Sequence, residues 1–392
     1  MSTSSASSTQ PHLQLSSRAQ DLHASPIREI LSVIDRPGMI SFTGGLPAVD
    51  TFPNFNLDDM PQEVLQYGAS EGDWPLRQKI AAELADIGLC CAPEQVLILS
   101  GSQQGIDMVA KLFIDANTPV AVESPTYLAA LQVFRFYGAR FVPFEAQHAN
   151  AAQFLAQKPA FAYSIPTFQN PSGRCLSAAE RTALAQACDA SNTPLFEDDP
   201  YRDLVYDACD RRPVCADLKH APWMYQGSFS KSLAPGLRLG YMVASPELLP
   251  MLTRLKQAAD LHSNRMSQWL VLQQLNNPNR PTELASLADH YRQRRDAFEA
   301  ALQRHFGDLA TWEKPPGGLF FWLKLNHGID TRRVLPLAID AGVAFMPGEP
   351  FLPFETTGCG QLRLNFSHAS EAQADEGLKK LAALIRSMPA VV

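Results

Sequence analysis

Short apolar runs alternate with segments of helical periodicity from about residue 76 to residue 199. Each run is four or five residues long and is bounded by turn residues, so the runs are predicted to be strands and the longer segments helices. Such alternation is typical of a mostly parallel sheet covered by helices on both faces, an α/β fold. The predicted strands are 96–99, 120–123, 140–144, 161–165 and 195–198.

The pattern changes past residue 245, where long helix-compatible segments begin, including 281–306. Two strand-like pieces follow at 319–325 and 361–366, and a closing helix is predicted from about 371 to 388. This change indicates a second, smaller α+β domain in the C-terminal third. Because ligands in parallel sheets bind at the carboxyl ends of strands, the polar clusters after the first set of runs are the candidate site.

Charge and cysteine content exclude several classes of protein. The 392 residues carry 33 Lys+Arg against 40 Asp+Glu, a net charge of −7, which argues against a nucleic-acid partner. No apolar run approaches the roughly 18 residues of a membrane helix. The seven cysteines form no CxxC or Cys/His cluster, so we expect no metal site, no disulfide framework and a cytoplasmic location. Residues 1–20 are rich in Ser and Gln and are predicted to form a flexible arm.

The segment 226–240 carries the strongest chemical signal in the chain. Lys231 is flanked by Ser228 and Ser230 and is followed by Arg238 between glycines, which suits an amine held beside a bound phosphate. A lysine after a serine is by itself an ordinary loop residue. The extended pattern S-x-S-K-x-x-x-P-G-x-R-x-G resembles the lysine loop of class I/II aminotransferases, which are fold-type I enzymes that depend on pyridoxal 5′-phosphate (PLP).

The resemblance assigns further residues to the cofactor ring. Asp198 and Tyr201, in the segment 197–201, match the family's D-x-x-Y pattern, in which the carboxylate keeps the pyridine nitrogen protonated. Asn170, in the N-P-S-G turn, would share the ring oxygen with Tyr201. Tyr127 matches the aromatic side chain that stacks on the ring. Each motif alone has an ordinary explanation, as an acidic turn, a tight turn or a core residue.

The cofactor's phosphate would lie at a predicted helix N-terminus. Ser102 and Gln103 follow the run 96–99 and open a helix, where backbone amides favour an anion. Ser228, Ser230 and Arg238 would complete this site. Tyr67 matches a tyrosine that reaches the phosphate of a neighbouring subunit, which implies a homodimer with shared active sites.

Arg363 is the predicted ligand of the substrate α-carboxylate. Alternation over 361–366 places Leu362 and Leu364 on one face and Arg363 on the other, and a guanidinium pairs with a carboxylate through two hydrogen bonds. The alternative from the pattern alone is an arginine on an edge strand that faces water.

The segments 25–31 and 37–47 resemble the branch of 2-aminoadipate aminotransferases and kynurenine aminotransferase II. There Arg28 would bind a distal carboxylate, and Gly45 would present its amide to the α-carboxylate. A helix arginine paired with a nearby acid is the alternative for Arg28. The implied domains are the arm 1–20, an N-terminal lid segment 21–60 that joins the small domain, a large PLP-binding domain 61–285 and a small C-terminal domain 286–392, together a fold-type I transferase with a mostly parallel seven-stranded sheet.

The implied function is ping-pong transfer of an amino group from an L-amino acid to a 2-oxo acid. The donor would be 2-aminoadipate, glutamate or a broad aromatic and aliphatic set, and the acceptor 2-oxoglutarate. Lys231 would carry the proton, with Asp198 and Tyr201 as the other catalytic residues. Two alternatives stay open: another PLP reaction on the same fold, such as a lyase or decarboxylase, and an aminotransferase-like ligand sensor of a transcription regulator, disfavoured by the short segment before the branch motif.

Overall fold

The structure is a computed structural model, and it describes residues 16–20, 36–354, 356 and 358–388. Most of the predicted arm and part of the predicted lid segment, including Arg28, lie outside the described residues. Within the arm, Ser17–Gln20 forms one helical turn.

The strands, in chain order, are β1 (Ile40–Ser41), β2 (Val96–Leu99), β3 (Pro119–Glu123), β4 (Arg140–Phe144), β5 (Ala162–Ser164), β6 (Leu195–Asp199), β7 (Trp223–Ser228), β8 (Gly240–Ala244), β9 (Ala310–Trp312), β10 (Phe320–Leu325), β11 (Val343–Ala344), β12 (Met346–Pro347) and β13 (Gln361–Asn365). The helices are α1 (Ser17–Gln20), α2 (Trp74–Asp86), α3 (Ser102–Phe113), α4 (Leu128–Phe136), α5 (Ala151–Gln157), α6 (Ala178–Ser191), α7 (Leu249–Asp260), α8 (Arg265–Asn276), α9 (Arg280–Phe306), α10 (Thr331–Asp340) and α11 (Glu371–Ser387). No helix within these described ranges is long and apolar enough to cross a membrane.

Seven strands form the large sheet in the order β2-β8-β7-β6-β5-β3-β4. Only β8 is antiparallel to its neighbours, so the other six point in one direction. Alternate residues of β2 enter different apolar clusters: Val96 and Ile98 pack on one face, and Leu97 and Leu99 on the other. Burial on both faces explains why these strands are continuous apolar runs. The predicted α/β class and mostly parallel seven-stranded sheet are confirmed.

A second, antiparallel sheet has the order β12-β13-β10-β9. Its core includes Phe321, Leu323, Leu362 and Leu364, packed against α9 and α11. The short strand β1 pairs with β11 beside this sheet, so residues 40 and 41 attach to the C-terminal part. The predicted boundary between residues 285 and 286 falls inside α9, which therefore joins the two parts as one continuous helix.

The carboxyl ends of β3, β5, β6 and β7 meet at one edge of the large sheet, because these strands are parallel. The antiparallel β8 begins at that same edge, and α3 starts there directly after β2. Every predicted motif between residues 100 and 240 lies at or next to one of these strand ends. The topology thus assembles segments that are up to 140 residues apart in sequence.

Candidate active site

Five of the predicted site residues form one electrostatic cluster. The Lys231 amine interacts with the charges of Arg363 and Arg238, and the Tyr127 phenol interacts with Asp198 as well as with both arginines. These residues come from two loops, β6 and β13, and are therefore close enough to influence each other's ionisation.

Asp198 is a buried carboxylate with two donors. It is 2% exposed; Tyr163 donates a hydrogen bond to Oδ2 at 2.8 Å and Gln226 donates to Oδ1 at 2.9 Å. Burial raises the pKa of Asp198 to about 6, although both hydrogen bonds oppose the rise. A carboxylate held this way is stabilised further by a cation, which is what a protonated pyridine nitrogen provides.

The other two acids of the segment do not compete for this role. In β6 the side chains alternate, so Glu197 and Asp199 face away from Asp198. Glu197 accepts the backbone amide of Cys215 at 2.8 Å, and Asp199 accepts Arg202 at 2.7 Å and Tyr225 at 2.9 Å. The contacts therefore distinguish the environments of the three acids. The sequence distinguishes Asp198 from the other two only by its position in the motif.

Lys231 lies in the turn after β7 with its amine in a partly buried setting. Nζ donates a hydrogen bond to the carbonyl oxygen of Gly45 at 2.8 Å. Burial lowers the pKa of Lys231 to about 8, and the positive charges of Arg363 and Arg238 lower it further. A substantial fraction of the amine is therefore neutral near pH 8, the form that attacks a carbonyl carbon.

Asn170, Tyr201 and Arg363 form a connected polar group. Asn170 Nδ2 donates to the Tyr201 hydroxyl at 3.5 Å, and Arg363 Nη1 donates to Asn170 Oδ1 at 2.8 Å. All three are at most 5% exposed. Burial keeps the pKa of the Tyr201 phenol well above its usual value, so this hydroxyl is a neutral donor.

Arg363 is buried at the centre of the second sheet, since β13 lies between β12 and β10. The structure therefore excludes the edge-strand alternative. Its guanidinium lies 4.2 Å from the ring centroid of Phe320 and 5.0 Å from that of Phe351, and it donates to the carbonyl oxygen of Thr43. Arg363 Nε is buried without a hydrogen-bond partner. The group suits a planar anion, which offers several acceptors at once.

Ser102 and Gln103 begin α3, as predicted, after Gly101 in a left-handed conformation (φ 82°). A Cβ on Gly101 would lie 2.6 Å from Arg238 Nη2, and one on Gly240 would lie 3.2 Å from the Ser102 amide. These contacts place the Arg238 guanidinium and the first α3 amide around one small cradle. Helix amides and a guanidinium together bind phosphate.

Ser228 ends β7 and pairs with Gly240 beside this cradle, and the Ser230 amide donates to Ser228 Oγ at 3.2 Å. Tyr127 precedes α4 and interacts electrostatically with Asp198. Tyr67 lies apart from these groups: it is 77% exposed and packs edge-on against His262, with ring centroids 5.7 Å apart. Gly45 takes part through its carbonyl oxygen, while the sequence analysis expected its amide to act.

Several residues of the site were missed by the sequence analysis. They are Tyr163, Gln226 and Phe351, together with Glu123, which ends β3. The buried Glu123 accepts Ser164 Oγ at 2.8 Å, the Ile165 amide at 3.1 Å and Gln169 Nε2 at 3.2 Å, and burial raises its pKa. Gln169 in turn accepts from Ser172. Glu123 thereby braces the turn that carries Asn170.

The donor set fits PLP. An anion cradle of amides and Arg238, a buried carboxylate beside an aromatic ring, and a lysine with a lowered pKa lie around one edge of the sheet. Arg363, with a buried unpartnered Nε, adds a place for a carboxylate. This combination of cradle, carboxylate, lysine and carboxylate-binding arginine defines a PLP-dependent enzyme that acts on amino acids.

The comparisons with known proteins agree. The profile of the family described as aminotransferase class I and II matches residues 46–381. The chain is 35% identical to the aromatic-amino-acid aminotransferase 1 of Thermococcus litoralis (95% of this chain, 94% of that protein) and 35% identical to the 2-aminoadipate transaminase of Thermus thermophilus (95% and 96%). The solved α-aminoadipate aminotransferase of Thermus thermophilus, complexed with N-(5′-phosphopyridoxyl)-L-leucine, is similar with a TM-score of 0.85 at 34% identity (95% and 97%).

The chain therefore belongs to the class I and II aminotransferases. It is a PLP-dependent aminotransferase whose substrates are amino acids and 2-oxo acids. The predictions of family, fold, enzyme class and cofactor are confirmed.

Proposed function

We propose that this enzyme transfers the amino group of 2-aminoadipate, glutamate and aromatic or aliphatic L-amino acids to 2-oxoglutarate. The observation that carries the proposal is the buried Arg363, whose guanidinium faces Asn170 and two phenyl rings. The arginine suits the α-carboxylate that all these substrates share, and the rings of Phe320 and Phe351 suit apolar side chains. The names of the two relatives at 35% identity, one aromatic and one 2-aminoadipate enzyme, support both donor classes.

We assign the remaining roles from the contacts. When bound, PLP supplies an electron sink for the charge that develops at the substrate α-carbon. Asp198 holds a proton on the ring nitrogen by its negative charge, and Tyr201 and Asn170 donate toward the ring oxygen. Lys231, whose amine is partly neutral near pH 8, moves the proton to and from the α-carbon.

Phosphate binding is assigned to Ser102, Gln103, Ser228, Ser230 and Arg238, around the cradle at the start of α3. Tyr127 is assigned to the ring face. In this proposal Arg28, which lies outside the described residues, binds the distal carboxylate of 2-aminoadipate or glutamate. Segment 21–60 then acts as the lid, attached through β1 to the small domain 286–392, while residues 61–285 bind PLP.

A single-half-reaction absorbance assay tests the substrate range. PLP-loaded enzyme is mixed in turn with 2-aminoadipate, glutamate, kynurenine, phenylalanine, leucine and alanine, and the loss of the cofactor absorbance is followed. We expect conversion of dicarboxylic and aromatic donors, with Arg28→Ala losing mainly the dicarboxylic ones. Equal losses for all donors would contradict the role of Arg28, and conversion of alanine alone would contradict the proposed range. Product analysis with 2-oxoglutarate tests the acceptor.

We further propose that the enzyme is a homodimer. Several large apolar side chains are exposed in one part of the described chain, among them Leu65 (59%), Tyr67 (77%) and Leu261 (48%). Arg265 links this surface by donating to Asp73 at 2.9 Å and to the carbonyl of Gln66 at 3.3 Å. Exposed apolar side chains of this kind favour the burial of this surface against a second copy of the chain. In that dimer, Tyr67 reaches the phosphate of the PLP bound by the partner subunit. Light scattering tests the mass, and Tyr67→Phe should weaken PLP binding without changing the mass.

We place the enzyme in the cytoplasm, supported by the seven free thiols. Cell fractionation of the tagged full chain tests this location.

A further inference from the structure

Two cysteines lie side by side next to the active site. Cys175 follows Asn170 by five residues, and Cys209 follows Tyr201 by eight. Both are partly exposed, and both pack against the apolar cluster that contains Tyr201 and Phe168. Cys175 Sγ donates a hydrogen bond at 3.1 Å to the carbonyl oxygen of Asp210, the residue after Cys209. The two thiols are close enough to influence each other's ionisation, although their segments are 34 residues apart in sequence.

A buried arginine prepares Cys175 for reaction. Arg181 is 1% exposed, and its Nη2 lies 3.4 Å from Cys175 Sγ as a donor. Interaction with Cys209 and the charge and hydrogen bond of Arg181 lower the pKa of Cys175 to about 7, although burial opposes the shift. The pKa of Cys209 is raised, and burial raises those of Cys91 to about 11 and Cys359 to about 12. A fraction of Cys175 is thus thiolate near neutral pH, with a protonated partner thiol beside it.

The same contacts connect Cys175 to the Asn170 turn. Arg181 Nη2 also donates to the carbonyl of Pro166 at 3.0 Å and to Thr167 Oγ1 at 3.0 Å, at the base of the turn. Across the turn, the Leu176 amide donates to the Pro166 carbonyl at 2.8 Å. Movement of Cys175 is therefore transmitted to the segment that carries Asn170.

We propose that Cys175 and Cys209 form a thiol–disulfide site, oxidised by low-molecular-weight disulfides of the glutathione type, that lowers transamination. The Cys175 thiolate attacks one sulfur of the small disulfide, whose S–S bond breaks and releases one small thiolate. Cys209 gives its proton to solvent and attacks the Cys175 sulfur of the mixed disulfide, which expels the second small thiolate. Two protein thiols are oxidised and one small disulfide is reduced to two thiols, so atoms and electrons balance.

The bond would change the active site because it joins two of its loops. A covalent bond draws the two sulfurs closer than any non-bonded contact allows, so the segments that carry Asn170 and Tyr201 shift relative to each other. The Asn170–Tyr201 contact, already 3.5 Å, lies between these segments. Small displacements of positioning groups reduce rates strongly.

The experiment uses the full-length PLP-loaded enzyme. Reduced protein is incubated near pH 7.5 with increasing oxidised glutathione, then quenched with acid, alkylated and mapped by mass spectrometry. The half-reaction is measured on the same samples with whichever amino acid converts the reduced enzyme fastest, so a wrong substrate assignment does not affect the result. Cys209→Ser removes the resolving thiol, and Cys359→Ser is the matched control at a thiol of high pKa.

We expect a peptide linked through Cys175 and Cys209, together with a fall of at least about threefold in the half-reaction rate that dithiothreitol reverses. Cys359→Ser should behave like the unchanged chain, and Cys209→Ser should stop at the mixed disulfide on Cys175. Absence of the linked peptide, or equal oxidation at Cys91 and Cys359, would overturn the site. A linked enzyme with an unchanged rate would overturn its effect on transamination.

Discussion

Replacing Tyr163 by Phe removes one hydrogen bond from the buried Asp198 and little else. The hydroxyl donates to Asp198 Oδ2 at 2.8 Å, and the fully buried ring keeps its contacts with Phe134 and Phe196, at centroid distances of 5.5 Å and 5.4 Å. The variant therefore tests whether support of this carboxylate matters to the reaction.

The size of the effect follows from the charge of the acceptor. A hydrogen bond to a charged group contributes about 1.5–3 kcal/mol. We use the lower end, because only the part that strengthens as charge develops on the cofactor ring changes the rate. A loss of about 1.4 kcal/mol is a tenfold decrease in the half-reaction rate constant. Loss of this hydrogen bond also raises the pKa of Asp198 by about one unit, so a larger fraction of the carboxyl is neutral at pH 6. The decrease in the half-reaction rate constant should therefore be larger at pH 6 than at pH 8.

The assay is a stopped-flow half-reaction between pH 6 and 8, with bound PLP quantified for each variant. Tyr225→Phe is the matched control, since its hydroxyl donates to Asp199 at 2.9 Å from the opposite face of β6. We expect that control to keep the rate of the unchanged chain. Equal rates for Tyr163→Phe and Tyr225→Phe at every pH would refute the reasoning.

The remaining predictions concern ionisable groups of the same site. Burial raises the folded-state pKa of Asp198 to about 6, above its unfolded value, so about 3 kcal/mol of folding stability that is present below about pH 4 is lost as the pH rises to 6. The PLP-free Asp198→Asn variant should therefore have a higher melting temperature than the unchanged PLP-free chain at pH 7.5, but not at pH 4. A lower melting temperature of the variant at pH 7.5 would contradict this prediction. The rate at which PLP recombines with the PLP-free chain, followed by absorbance, should rise with pH with a midpoint at about 8, the pKa of Lys231. Because the charge of Arg363 lowers that pKa, Arg363→Gln should move the midpoint to higher pH, and an unchanged midpoint would contradict the prediction. Glu123→Gln replaces an acceptor of three hydrogen bonds by a group with one oxygen, so turnover should fall about tenfold at unchanged PLP content. A fall in turnover explained entirely by lost PLP would contradict the proposal that Glu123 supports the Asn170 turn through Gln169.

The predicted strands agree with the structure to within two residues from β2 to β6, because strands buried on both faces are apolar along their whole length. β7 and β8 were not predicted, since Gly227 and Gly240 interrupt the pattern beside the lysine loop. The reversed direction of β8 is decided by its pairing with β2 and β7, which no local period records. β1, β11 and β12 have two residues each, too few to show alternation.

The candidate site was predictable where a residue sits in a motif with fixed spacing, as for Lys231 and Asn170. It was not predictable for Tyr163 and Gln226, which lie inside strands and resemble core residues in the sequence. Their function depends on β5, β6 and β7 being neighbours, so that Asp198 on the middle strand receives a donor from each side. Sequence periodicity gives the face of a side chain but not its neighbours across the sheet.

The segment that follows β1 offers two backbone oxygens to two cations of the candidate site. The Thr43 carbonyl accepts from Arg363, and the Gly45 carbonyl accepts from Lys231. Ligand binding is consequently an exchange reaction, in which an incoming carboxylate replaces contacts that the protein already makes to itself. Net affinity is then a difference between two sets of hydrogen bonds. Changes in the length or anchoring of residues 42–46 would adjust that difference, and with it the working substrate concentration, while every catalytic side chain stays the same.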